Sequence, residues 1–170
     1  MPLQTAVVVG NPKPASRTLD AALYVARELG GAEPQHVVDL ALVGPELLDW
    51  SSSVVADLVT EVGEADLVVV ASPTYKGSYT GLLKLFLDRF AAGTGLSGLA
   101  VPLMLGGSAA HALVPELLLR PVLTELGATV PGRGLFVVDA SYADPTAYEA
   151  WLEATRPPVA DLLTGRGVQV

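Results

Sequence analysis

The chain has no cysteine in its 170 residues, which removes disulfide frameworks, thiol nucleophiles, thiolate zinc sites and iron–sulfur clusters together. Histidine is almost missing as well. His36 and His111 are the only imidazoles, and no carboxylates stand at a spacing that would complete a zinc or iron site, so no metal is expected. Basic residues are scarce: 10 Lys and Arg stand against 18 Asp and Glu, a net charge of -8. Such a field repels phosphate polymers and anionic headgroups, so neither nucleic acid nor a membrane surface is an expected partner. No apolar run reaches the roughly 18 to 20 residues that span a bilayer. The first residues, Met-Pro-Leu-Gln-Thr, lack a basic n-region for export, and the expected location is the cytoplasm.

What is abundant is aliphatic. Hydrophobic residues make up 51% of the chain, and the mean hydropathy of +0.47 is high enough to suggest that another subunit covers some apolar surface. The length fits one domain over 1–170 that buries roughly 70% of the surface its unfolded form would expose. Short apolar runs recur at wide spacing: Val7 to Val9, Val37-Val38, Leu67 to Ala71, Leu99 to Leu105 and Leu135 to Val138. Each fits a strand buried on both faces. Amphipathic stretches at 16–29, 51–63, 78–92, 111–126 and 144–164 lie between and after them. Alternating β and α units imply a parallel sheet with right-handed crossovers in an α/β three-layer sandwich. The flavodoxin-like strand order 2-1-3-4-5 is the natural five-stranded arrangement. Pro157-Pro158 reads as a helix break, and Gly165-Arg166-Gly167 as a frayed tail.

In such a sheet, ligands sit beyond the carboxyl ends of the strands. The loop after strand 1, Gly10 to Thr18, offers hydroxyls at Ser16 and Thr18, a helix start, and cations at Lys13 and Arg17. A phosphate monoester needs these groups, although Ser16 would serve equally as a helix cap. It is neither a Walker loop nor a Gly-x-Gly-x-x-Gly turn. After strand 3, Pro73 stops the strand, and Thr74, Tyr75, Lys76 and Gly77 present backbone groups beside an aromatic side chain. That edge suits a planar heterocycle. Gly81 permits close approach of the next helix to a ligand or a neighbouring element. After strand 4, Gly106, Gly107 and Ser108 would let backbone approach a ring. Ser108 with His111 is not a hydrolase pair, because Gly-x-Ser-x-Gly is absent; His111 reads as a rim or subunit-contact residue.

The run Ser72, Pro73, Tyr75, Ser78, Gly81, Leu82, Lys84 and Asp88 resembles the NAD(P)H-dependent FMN reductases of flavodoxin-like fold. Loop 1 resembles the phosphate loop of that family at Gly10 and Ser16, with Asn11 where Ser is usual and Lys13 where Arg is usual. The stretch from Pro102 to His111 is similar to the subgroup that feeds reduced flavin to two-component sulfonate monooxygenases. The resemblance implies FMN as cofactor or substrate and NADPH or NADH as hydride donor, with Asn11, Lys13, Ser16, Arg17 and Thr18 around the phosphate. It places Pro73, Thr74, Tyr75, Lys76 and Gly77 at the ring edge, with Gly106, Gly107 and Ser108 completing the pocket. It also implies a flavin-dependent monooxygenase as a possible partner. Alternatives on the same fold are a quinone, azo-dye or metal-ion reductase holding FMN, and a flavodoxin-type electron carrier without a nicotinamide site.

Hydride transfer needs no side-chain acid or base, only two rings held roughly 3 to 3.5 Å apart and donors for the arriving charge. Backbone N–H groups between Thr74 and Gly77 are the expected donors. Lys84 and Asp88 read as an ion pair on one helix face. The stripe Leu82, Leu85, Phe86 and Phe90, widened by Leu83 and Leu87, exceeds what a sheet face covers. With Leu113, Val114 and Leu117 to Leu119 it points to a homodimer or homotetramer with the flavin site near the interface.

Overall fold

Strands form where the aliphatic runs stand, in a computed structural model that describes residues 1–168. Gln169 and Val170, the last of the expected 1–170 domain, lie outside the described residues. The strands are β1 (Thr5–Val9), β2 (His36–Asp39), β3 (Leu67–Pro73), β4 (Leu99–Gly106) and β5 (Leu135–Val138). All pair in parallel, in the order β2-β1-β3-β4-β5, so the flavodoxin-like order expected from the sequence is the order found. Alternation along β1 splits the core. Ala6 and Val8 face one helical layer, Val7 and Val9 the other. The first layer holds α2 (Ser53–Gly63), α3 (Gly81–Leu87) and α4 (Arg120–Glu125); the second holds α1 (Arg17–Gly30) and α5 (Thr146–Gly165). No helix among the described residues is long and apolar enough to cross a membrane.

Helix α1 shows why these segments fold as they do. Ala21, Ala22, Val25, Ala26 and Leu29 are buried at helical spacing, Ser16 caps the start through Leu19 N–H at 3.3 Å, and Gly31 at φ 71 closes the end.

Four expectations need correction. The helix expected over 78–92 ends at Leu87. Arg89 N–H bonds Phe86 O at 3.1 Å and Phe90 N–H bonds Leu87 O at 3.2 Å, a tightened end that tucks Phe90 edge-on against Phe86 at 5.2 Å. Its buried stripe is Leu83, Phe86, Leu87 and Phe90, while Leu85 is exposed. The helix expected over 111–126 is a π-helical turn, Pro115–Leu119, followed by α4. Pro121 has no N–H for Leu117 O, and Arg120 N–H reaches back five residues to Pro115 O.

Pro157 and Pro158 lie inside α5 and do not break it. The carbonyls they leave unbonded, on Glu153 and Ala154, belong to exposed residues, while Leu152, Thr155, Val159 and Leu163 anchor the opposite face. The tail is pinned through Val168. Gly167 N–H bonds Thr164 O at 2.9 Å and Val168 N–H bonds Leu163 O at 3.0 Å, a Schellman closure with Val168 buried.

Gly10 is the tightest junction between β1 and α3. A Cβ there would stand 2.4 Å from Leu83 Cβ, so Gly10→Ala must push α3 off the sheet. Overpacking of this kind costs about 1–3 kcal/mol. A lowered urea midpoint with an unchanged m-value is the expected result.

Candidate active site

Because every strand runs the same way, the ends of β1, β3, β4 and β5 and the loops after them share one edge of the sheet. The loop after β1 is held by bonds that point inward. Asn11 Oδ1 accepts from Lys13 N–H at 2.9 Å, and Asn11 Nδ2 donates to the buried Thr18 hydroxyl at 3.1 Å. Ala15 sits at φ 49, a left-handed conformation that costs a non-glycine residue energy. What holds it there is Asp39 at the end of β2, whose carboxylate accepts from Ala15 N–H at 3.1 Å and from Ala41 N–H at 3.3 Å. The N–H groups of Ser16, Arg17 and Thr18, at the first turn of α1, find no acceptor among the described residues. They are left for an anion, beside the Lys13 and Arg17 cations.

After β3 the chain makes a two-residue hairpin. Tyr75 N–H bonds Ser78 O at 2.8 Å and Ser78 N–H bonds Tyr75 O at 3.1 Å. Lys76 and Gly77 between them take φ 53 and 74, the paired positive values of a type I′ turn. This narrows the expected row of free donors. Thr74 N–H is spent on Leu105 O at 2.7 Å and Tyr75 N–H on Ser78, so only the Lys76 and Gly77 N–H groups find no acceptor among the described residues. The Thr74 hydroxyl is buried without a partner, and such an atom is costly unless a ligand meets it.

A buried bond joins the two loops: Thr80 donates its hydroxyl to Gly10 O at 2.5 Å and accepts Leu83 N–H at 3.1 Å as the cap of α3. The Ser72 hydroxyl accepts Thr80 N–H at 3.0 Å.

Gly106 is not open to a ring, in contrast to the expectation. A Cβ there would meet the Phe136 ring at 2.9 Å and Thr74 Cβ at 3.2 Å, so this glycine packs β4 against β5. At Gly107 a Cβ would meet nothing, and its N–H has no acceptor among the described residues. Ser108 turns its hydroxyl to Ala110 N–H at 3.2 Å and caps the short turn Ala109–His111. Gly81 approaches no neighbouring element. Lys84 and Asp88 form the expected i,i+4 pair at 2.5 Å, and the hydrogen bond to Asp88 holds the Lys84 ammonium above its ordinary pKa.

A cleft of about 330 Å³ gathers Asn11, Lys13, Ser16, Arg17, Thr18, Pro73 and Tyr75 from the expected set. Thr74, Lys76, Gly77, Gly106, Gly107 and Ser108 do not line it; they lie on the adjoining hairpin and on the loop after β4. Sequence reading missed Asp20, Asp139 and Tyr142, which complete the cleft, and the positioning residues Asp39 and Thr80. Asp139 and Tyr142 follow β5, so the rule that singled out the other loops applied to them as well. Tyr142 lies under the Arg17 guanidinium, 5.9 Å from its ring centre. The cleft can bind a phosphate ester at one end and present backbone donors to a planar ring beyond the other.

Comparison with known proteins bears on this geometry. The family profile described as NADPH-dependent FMN reductase matches residues 3–143. The chain is 30% identical to the NADH-dependent FMN reductase SfnF of Pseudomonas fluorescens, over 84% of this chain and 80% of the relative. It is 29% identical to the FMN reductase (NADPH) of Escherichia coli, over 84% and 76%. Among solved structures it is similar to an NADH:FMN oxidoreductase in the apo form, with a TM-score of 0.82 and 31% identity over 94% of this chain and 90% of that one.

Asp39→Ala removes the acceptor of two backbone N–H groups and frees Ala15 to leave its strained conformation. A loss of about 1–3 kcal/mol in stability is expected. Inorganic phosphate titrated against the amide resonances of Ser16 to Thr18 should bind more weakly than in the parent.

Proposed function

Since the chain belongs to the NADPH-dependent FMN reductase family, we propose that it reduces FMN with NADH or NADPH in the cleft at the ends of β1, β3 and β5. One observation carries this reading: free N–H groups and two cations meet in a cleft that adjoins a hairpin with unpaired donors. FMN, when bound, supplies the acceptor for a hydride arriving from nicotinamide, which is chemistry no side chain here could perform.

The residues bind and orient. Lys13, Arg17 and the amides of Ser16 to Thr18 neutralise a phosphate dianion, with Asn11 holding the loop in shape. The N–H groups of Lys76 and Gly77 and the Thr74 hydroxyl offer hydrogen bonds to a ring edge, stabilising negative charge there. Tyr75 and Pro73 wall the cleft, and the open backbone at Gly107 leaves room on the side of β4. Gly106 and Ser108 support that loop from behind.

Of the related reductases named above, one is NADH-dependent and another uses NADPH, which fits a site that accepts either. The same reading takes residues 1–170 as one FMN-binding domain in the cytoplasm, serving a flavin-dependent monooxygenase. It also takes the chain as a homodimer or homotetramer. Leu113, Leu117 and Leu118 around the π-helical turn are 54%, 62% and 40% exposed, and a symmetric apolar interface would cover them.

Anaerobic mixing with FMN and NADH or NADPH tests the activity. Rapid bleaching of the flavin is expected; tight binding without bleaching by either nucleotide overturns the reading in favour of an electron carrier. FMN should be preferred to riboflavin by roughly tenfold or more, the value of one charge-assisted hydrogen bond. Ser16→Asp should abolish that preference while leaving riboflavin reduction nearly unchanged. An equal loss for both flavins would return Ser16 to helix capping alone.

Sedimentation at micromolar concentration should give a dimer or tetramer, and Leu117→Glu should shift it towards monomer. A monomeric parent removes the interface.

A further inference from the structure

Beside the phosphate cleft lies a second pocket of about 250 Å³, walled by Asp20, Tyr24, Tyr142, Ala143, Pro145 and Tyr148. Its volume falls below the roughly 300 Å³ at which drug-sized sites begin, so it suits one ring system and not a whole dinucleotide. The walls are rigid. Tyr24 and Tyr148 pack ring to ring at 4.8 Å, and the Tyr148 hydroxyl donates to Tyr142 O at 2.7 Å. Burial, reinforced by nearby Tyr24 and Asp20, pushes the Tyr148 pKa up to about 12, so this donor persists at physiological pH.

The pocket and the cleft share Asp20 and Tyr142, so the two adjoin. Arg17, Asp20 and Tyr24 follow one another along a single face of α1, about 10 Å from first to last. A diphosphate held near Arg17 would place its base, one ribose further on, over Asp20 and Tyr24. Tyr24 and Tyr142 are part-exposed and offer ring surface for stacking, while Tyr148 is buried. The Asp20 carboxylate offers an acceptor to an exocyclic amine and repels a carbonyl in the same position.

We propose that this pocket is an adenylate subsite, taking the adenine of a nucleotide whose diphosphate runs along Lys13 and Arg17. The proposal rests on the reading of the cleft as the flavin phosphate site. Its occupant is the AMP half of FAD, whose second phosphate continues from the one that FMN places at the cleft.

Titration calorimetry of the full flavin-free chain with ADP tests it without turnover. The parent is expected to bind ADP. Ala143→Trp, at an exposed position outside the cleft, fills the pocket and should weaken ADP binding about tenfold or more, with FMN affinity unchanged. IDP, which carries a carbonyl in place of the amine, should bind the parent at least about fivefold more weakly than ADP. No ADP binding by the parent, or equal binding by parent and variant, overturns the proposal.

Steady-state arms identify the source. A raised KM for FAD in the variant, with the KM for FMN unchanged, assigns the subsite to the flavin; a raised KM for NADH with FMN and an unchanged KM for FAD overturns that assignment. If ADP binding is lost while both KM values hold, the subsite takes a free adenine nucleotide. A parent that fails to bind FMN defeats the flavin reading, and the ADP result then stands separately.

Discussion

Parallel pairing forces each strand to be followed by a crossover that returns along a face of the sheet, so all five strands end on the same side. Everything at the site follows from that constraint. Loops far apart in sequence meet there, and their polar backbone has to find partners. The bond from Thr80 to Gly10 spans 70 residues of sequence. That from Ala15 to Asp39 spans 24. The partners consumed by these bonds hold the loops in place, and the groups left over become the binding surface.

Charge distribution sharpens the same picture. The chain carries a net charge of -8, yet Lys13 and Arg17 line the cleft and Lys76 stands on the adjoining hairpin. Asp20 and Asp139 sit at the cleft as well. An anion entering it meets two cations in a cleft that also holds two carboxylates, so its hold depends on where it sits as well as on the sum of charge.

The sheet was legible because burial on both faces writes strands as unbroken aliphatic runs, and Val7 to Val9 or Leu67 to Ala71 allow no other reading. Loops 1 and 3 were legible for a related reason: hydroxyls, cations and glycine at a strand end have few other uses. Helix bounds were less so. The end of α3 depends on Phe90 meeting Phe86, and the π-helical turn on where Pro121 falls against Leu117; both are settled by packing that no local pattern records. Gly106 shows the opposite error. Its place in a Gly-Gly loop suggested an opening, whereas the Phe136 ring occupies the space beside it. Asp39 and Thr80 were invisible because their partners lie across the sheet, and a capping residue looks the same in sequence whether or not it also fastens a second loop.

The paired prolines of α5 have a kinetic meaning. Each lowers intrinsic helicity by about 3 kcal/mol, so the segment from Thr146 to Gly165 has little tendency to coil before the sheet exists to receive Leu152, Val159 and Leu163. It must dock and wind in one event. Tyr148 arrives with it. The tyrosine pocket beside the cleft therefore rests on a helix whose own sequence favours it little, and which owes its form to packing on the sheet.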